Sequence, residues 1–513
     1  MEKIERFTLP DSKNQNTLQS EILSHFKSKK QPGSLVEQVF YDTFDWRLYK
    51  NNLFLLREDN NYILCNLHNE QKIDSTIHNK DEQLKFWWDF PDSSIRQVLK
   101  PILEMRALLN LGKIKKRILP LQILNVDEKT VVRIRIEKAN PVHPDKNVRF
   151  ADQIIVEAVK GYQKPFKDIC DFLSSIGLLK NILSNFQITL EAFGKKAGEY
   201  SSKLNLQLKH DMLAREAETI ILKHLLHAIK QNDRGTKEDI DTEFLHDFRV
   251  AIRRTRSALT QIKDVFPGEI VNQYQTDFVK IGKSTNQLRD LDVYILNRKK
   301  YEEMLPMHLR EGLKPLFSQL NRQRKINHRK IVTVLDSSFY KTVLISFETF
   351  LNSTDENGED GTPNANIAII DLSKKFISKR YRKVLKNGRK INNTTPDSYL
   401  HELRIECKKL RYLLEFFSSL FQEKKINLLI KYLKILQDNL GSFNDYSVQQ
   451  KMLKKYLGTL KPGIKNSTLI AAAIGGLITE LYHEQKAARK SFKKSFAEFS
   501  CDQSKNLFRE LFG

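Results

Sequence analysis

Residues 1–165 alternate short apolar-rich runs with turn signals, and from about Gly198 the apolar positions take up the 3.6-residue period of helices. In the first stretch, residues 35–41, 53–57, 62–67, 131–137 and 153–159 predict strands. The clearest period of two lies at 131–137, with Val132, Ile134 and Ile136 on one face and Arg133, Arg135 and Glu137 on the other. Helices are predicted over 17–27 and 162–176, the second ended by Gly177, which adopts left-handed backbone at low cost. Beyond residue 198 strand signals vanish. The polar, acidic stretch 351–366 interrupts the helical pattern near its middle and predicts a linker. The pattern predicts a two-part α+β chain, with a β-rich domain over 1–180 and helical halves over 200–350 and 367–513.

The helical halves match each other. Leu245-His246-Asp247-Phe248-Arg249 recurs as Leu400-His401-Glu402-Leu403-Arg404 at an offset of 155 residues. The match continues through Arg253-Arg254 with Lys408-Lys409, Arg256 with Arg411, and Leu259 with Leu414. Asp290 and Val293 keep the same offset against Asp445 and Val448. A charge pattern and a distant pair sharing one spacing identify an internal duplication.

On a helix, His246, Arg249, Arg253 and Arg256 fall within about 80° of one another, with Arg254 at the border. Leu245, Phe248, Ile252, Leu259 and Ile262 occupy another face, which is free to pack. The second copy sets His401, Arg404, Lys408 and Arg411 against Leu400, Leu403, Cys407, Leu414 and Phe417, with Lys409 matching Arg254. Like charges one turn apart repel, so each row is destabilising unless acids or a bound anion neutralise it. The two histidines lie on the basic faces, which predicts that they contact or organise the anion, with affinity rising at mildly acidic pH. Asp290 and Asp445 are too isolated for catalysis and suit a tethering role. Further rows share helix faces: Arg322, Lys325 and Arg329; Lys375, Lys379, Arg382, Lys383 and Lys386; and Lys486, Arg489, Lys490 and Lys493. Helical bundles would let these converge on a common basic groove, although any one row alone reads as a solvated face.

Charge supports an anionic partner. The 86 Lys and Arg outnumber the 62 Asp and Glu, a net charge of +24, of which residues 1–200 hold +5 and the remainder +19. Nucleic acid, anionic lipid or polyphosphate suits such a surplus. The four cysteines, Cys65, Cys170, Cys407 and Cys501, have no metal-ligand spacing, which argues for a reducing compartment and against a zinc site. The start MEKIERFTLP has no apolar core of a signal peptide, and the apolar run 469–478 is too short to span a membrane, so a buried helix in a cytoplasmic protein is expected. In that run Ala471–Ala473 and Gly475-Gly476 allow close helix packing. Residues 458–465 lack the Gly-Lys-Ser/Thr ending of a phosphate loop, and no catalytic motif, metal set or cofactor signature emerges.

The segments LHDFRVAIRRTRSAL with QLRDLDV, and LHELRIECKKLRYLLEF with LQDNLGSFNDYSV, resemble the two signature segments of the CHAD family, the conserved-histidine α-helical domains. The resemblance covers roughly 200–513. It implies an all-α domain of two pseudo-symmetric four-helix bundles, whose basic central groove binds inorganic polyphosphate without catalysis, in the cytoplasm at polyphosphate granules. The family's functional positions fall on His246, Arg249, Arg253, Arg254 and Arg256, and on His401, Arg404, Lys408, Lys409 and Arg411. Arg322, Lys325, Arg329, Lys379, Arg382, Lys383, Lys486, Arg489 and Lys490 stand as secondary candidates.

Residues 39–59, 130–138 and 154–178 resemble a CYTH, or triphosphate-tunnel, domain, an antiparallel β-barrel that often precedes CHAD. Enzymes of that fold open with a Glu-x-Glu-x-Lys strand whose carboxylates hold divalent metal. Here Glu2-Lys3-Ile4-Glu5-Arg6-Phe7 departs from it, leaving Arg57, Arg133, Arg135, Glu137 and Glu157 as tunnel-facing charges. The expectation is a degenerate barrel over 1–180 without metal or cofactor. Polyphosphate binding is therefore the leading function. The alternatives are a metal-dependent inorganic triphosphatase in 1–180 and a nucleic-acid-binding protein. The last is disfavoured because the basic stripes lack the interleaved aromatics of base-stacking platforms.

Overall fold

The computed structural model describes residues 3–10, 14–78, 83–142, 150–181, 183–353, 362–392, 394–460 and 466–513. Two compact units divide the chain, Met1–Ser201 and Ser202–Gly513.

The first unit contains strands β1 (Ile4–Thr8), β2 (Ser28–Lys30), β3 (Ser34–Thr43), β4 (Leu53–Glu58), β5 (Asn61–Asn66), β6 (Lys72–Ile77), β7 (Leu108–Leu124), β8 (Thr130–Pro141), β9 (Gln153–Ala158) and β10 (Leu179–Lys180). Its helices are α1 (Gln15–His25), α2 (Arg47–Lys50), α3 (Ser94–Leu103), α4 (Gln163–Ser175) and α5 (Asn185–Ala192). The strands form one antiparallel sheet in the order β10-β1-β9-β8-β7-β3-β4-β5-β6, with β2 also on β7. The sheet curls, because Arg6 on β1 reaches Glu70 in the β5–β6 turn at 2.5 Å. Among the described residues no ladder joins β10 to β6, so the expected barrel is a curled sheet. Val132, Ile134 and Ile136 pack beneath α1 and α4, while Leu55, Tyr62 and Leu64 pack beneath α3. The opposite face carries α5, whose Phe186 and Leu190 meet Phe40, Phe54, Leu56 and Ile114.

The second unit is helical. Its first half has α6 (Ala214–Lys237), α7 (Thr242–Gln261), α8 (Gly268–Ser284), α9 (Asn286–Leu296), α10 (Arg298–Glu303), α11 (Lys314–Asp336) and α12 (Ser338–Ser353). Its second half has α13 (Ile369–Arg389), α14 (Asp397–Phe416), α15 (Glu423–Leu457), α16 (Ser467–Phe499) and α17 (Asp502–Phe512). Both ends of α7 and α14 lie 155 residues apart, and α6 with α13, and α8 with α15, begin at the same offset. The long α15 corresponds to α8, α9 and α10 joined. In the first half Thr285 interrupts the run: its hydroxyl donates to the Gly282 carbonyl and accepts from Arg249, a side-chain bond that competes with the helix. Leu440 stands at the matching position and the helix continues. The start of α7 is fixed by Asp241, whose carboxylate accepts from the Glu243 and Phe244 amides, and the start of α14 follows Pro396.

Each half is a bundle built on four rods, α6, α7, α8–α9 and α11 in one and α13, α14, α15 and α16 in the other. The main core draws apolar residues from both halves, and a second core joins α9, α10 and α11 to α15 and α16. The apolar run 469–478 is buried in α16 through Ile470, Ala473, Ile474 and Leu477. Ala473 meets Gly312, and Gly476 meets Leu305, whereas Gly475 faces open space. A Cβ on Gly312 would lie 2.6 Å from the Leu469 carbonyl oxygen and 2.7 Å from Ala473 Cβ, neither of which yields easily. Gly312→Ala is therefore expected to destabilise the helical unit by about 1–3 kcal/mol, read as a lower urea midpoint. Residues 354–361 of the expected linker lie outside the described residues. Among the described residues no helix is long and apolar enough to cross a membrane.

Candidate anion-binding site

α7 and α14 pack against each other, which brings the duplicated faces together. Between them and α8 lies a cleft of about 400 Å³. Arg253 and Arg256 of α7 and Arg404, Lys408 and Lys409 of α14 line it, with Ser257, Thr260, Gln261, Gln275 and Tyr412 among the other wall residues. Five of the ten sequence-predicted residues thus share one cavity.

The remaining five sit around it. Arg249 donates to Thr285 Oγ1 at 2.5 Å and to Asn286 Oδ1 at 2.9 Å. Arg254 pairs with Glu415 at 2.7 Å, and Arg411 reaches the same carboxylate at 3.3 Å, so one acid ties the two repeats together. His401 Nδ1 lies 2.8 Å from Asn444 Oδ1, while His246 is half-buried on α7. Asp445 takes Arg404 at 3.7 Å, whereas burial raises the carboxyl of its duplicate Asp290 and Arg249 only partly opposes that rise.

Neutralisation is incomplete. Lys409 has Glu406 at 3.3 Å, but Arg253, Arg256 and Lys408 make no ion pair or side-chain hydrogen bond among the described residues. Among the described residues, the Nε donors of Arg253, Arg254 and Arg404 are buried without a hydrogen-bond partner. Unsatisfied buried donors are costly, and an anion placed in the cleft would relieve that cost. Lys408 records the strain most clearly. Burial, then Arg404 and Arg253, push its ammonium down to about 7, and Asp445 only partly opposes them. Between that value and the ordinary lysine range the unfolded chain binds the extra proton, so the folded state loses stability as pH falls through this window. Lys408→Met is expected to raise folding stability at pH 7.5 by about 1 kcal/mol or more, measured by urea unfolding, because it removes a charge that the fold disfavours.

The secondary rows separate. Lys379, Arg382 and Lys383 are exposed on α13, and Lys383 reaches Glu406 at 3.1 Å, beside the cleft. Arg322, Lys325 and Arg329 are exposed on α11 and, among the described residues, line no part of the cleft. Lys486 lies over the Tyr482 ring at 5.3 Å, Arg489 pairs with Asp397, and Lys490 is exposed on α16. Sequence reasoning missed Glu406 and Glu415, because nothing in the α14 pattern tells which α7 or α13 cation they meet.

The inner face of the sheet in the first unit is a poor metal site. Burial acts to raise the Glu137 carboxyl, but Lys116 at 3.1 Å and Arg135 at 3.3 Å outweigh it and hold it below the ordinary range. Arg135 also pairs with Glu157, and Asn185 of α5 donates to Glu137 at 3.1 Å. These carboxylates are already committed to cations, and α5 covers part of the face. Among the described residues no three His, Cys, Asp or Glu side chains converge as metal ligands. Arg57 corrects the expectation of a tunnel-facing charge. It stands opposite Val39 and Tyr62, on the face buried beneath α3, because its neighbours Leu56 and Glu58 take the inner one.

A duplicated helical unit with a cationic cleft between its repeats defines the class. Residues 220–454, within the helical unit, match the family model of the CHAD domain. The chain is similar to the CHAD domain from the plant Ricinus communis at 23% identity, over 58% of this chain and 94% of that one, with a TM-score of 0.49. It is similar to PptA from Streptomyces chartreusis at 15% identity, over 56% and 99% of the two chains, with a TM-score of 0.45. It is also similar to HpAC1 from Hippeastrum, a protein with a dominant triphosphatase activity, at 18% identity over 39% and 100% of the chains, with a TM-score of 0.26. No curated protein matches the chain.

Proposed function

We infer that the helical unit binds inorganic polyphosphate in the cleft between its repeats and catalyses no reaction there. The observation that carries this reading is the trio Arg253, Arg256 and Lys408, drawn from both repeats around one cleft and left without acid partners among the described residues. Phosphate oxygens accept charge-assisted hydrogen bonds from such groups, and guanidinium binds them in bidentate geometry. A phosphate chain brings these oxygens at close intervals and no bases to accommodate. The only ring among the described lining residues is Tyr412, which is buried, so the cleft offers no stacking platform. No carboxylate or imidazole lines it among the described residues.

Competition tests the reading. Labelled polyphosphate bound to the full chain is expected to resist displacement by single-stranded RNA of equal charge, with RNA at least about tenfold weaker at matched salt. Equal displacement would favour a nucleic-acid ligand. Phosphate release from tripolyphosphate with Mg²⁺ or Mn²⁺, lost in Glu137→Gln/Glu157→Gln, would establish the enzyme reading.

A further inference from the structure

We propose that the anion site continues out of the cleft along α13, so that it is built for a linear polyanion long enough to occupy both. This rests on the cleft reading above and adds a direction and a length requirement to it. Lys409 lines the cleft and reaches Glu406 at 3.3 Å. The same carboxylate takes Lys383 of α13 at 3.1 Å and also Arg380. Three cations around one acid leave this bridge net positive, and it connects the cleft wall to the next helix.

On α13 and its C-terminal cap the residues Lys375, Lys379, Arg382, Lys383, Lys386 and Lys390 are all exposed and fall within about 100° of arc over roughly 22 Å. Of these, Lys383 is the one with an acid partner among the described residues. Cations four residues apart on this ladder repel one another, so the helix would be more stable with neutral side chains there. The duplication supplies an internal comparison. The matching positions on α6 are Ile220, His224, His227, Ala228, Gln231 and Gly235, and Ala251 stands where the second repeat has Glu406. The bundle therefore forms without a cationic row at this place. The rows facing the cleft are kept in both copies, while this one exists in a single copy. A bound chain accordingly leaves the cleft over the second repeat.

The full-length chain with Lys379→Ala/Arg382→Ala/Lys386→Ala tests this against tripolyphosphate and long-chain polyphosphate. Lys383 is retained because it holds Glu406. The Kd for the long chain is expected to rise about tenfold or more while that for tripolyphosphate stays within about twofold. Arg322→Ala/Lys325→Ala/Arg329→Ala on α11 removes equal charge and is expected to change neither Kd by more than about twofold. The proposal is overturned if the α13 variant changes long-chain binding no more than the α11 variant does, or weakens both ligands equally. Failure of the underlying cleft reading has a different signature, in which Arg253→Ala/Lys408→Ala leaves both ligands binding as before.

Discussion

Arg253→Ala/Lys408→Ala is expected to weaken polyphosphate binding about a hundredfold or more while leaving the protein at least as stable as the wild type. Each side chain contributes one charge to the same cleft, and neither has an acid partner among the described residues whose loss would unbalance the fold. Charge-assisted contacts are worth roughly 1.5–3 kcal/mol each, and two of them exceed the 2.8 kcal/mol or so that corresponds to a hundredfold change. Removing two mutually repelling cations relieves strain in the empty state, so the melting temperature should hold or rise. Titration calorimetry at fixed salt and a thermal melt on the same samples check both halves. A structural role for these residues would instead lower binding and melting temperature together.

Binding is expected to weaken as pH rises from 7 to 9, approaching about tenfold per pH unit, through Lys408. In the empty site burial, Arg404 and Arg253 hold its ammonium at about 7, with Arg411 acting in the same sense and Asp445 against it. A bound anion favours the charged form and raises that value, so above pH 7 binding must take up a proton. Below about pH 6 the amine is already charged in both states and the dependence disappears. Lys408→Arg keeps the charge throughout and should flatten the profile. The sequence pattern assigns the pH response to His246 and His401. If they carry it, the slope falls near neutrality and below, and vanishes in His246→Ala/His401→Ala. The Lys408 account predicts that the slope survives that change.

Much of this arrangement was legible in the chain. The 155-residue offset places α7 and α14 in register at both ends, because the duplicated segments carry their packing faces and their termini with them. The alternation at 131–137 likewise assigns both faces of β8. What stayed hidden depends on contacts between distant elements. β7 was missed because Lys113, Lys115, Lys116 and Arg117 dilute the apolar content of a strand whose Ile114, Leu121 and Ile123 are buried. On the cationic faces, spacing alone does not separate Arg254 and Arg411, engaged by Glu415, from Arg253, Arg256 and Lys408, which lack such a partner among the described residues. That distinction requires knowing which acids the neighbouring helices deliver.

The most direct measurement is a crystal structure of the full chain grown with polyphosphate. The account predicts phosphate density in the cleft between α7 and α14, with oxygens within hydrogen-bond distance of Arg253, Arg256 and Lys408. Phosphate bound elsewhere on the protein, with the cleft holding only water, would contradict it.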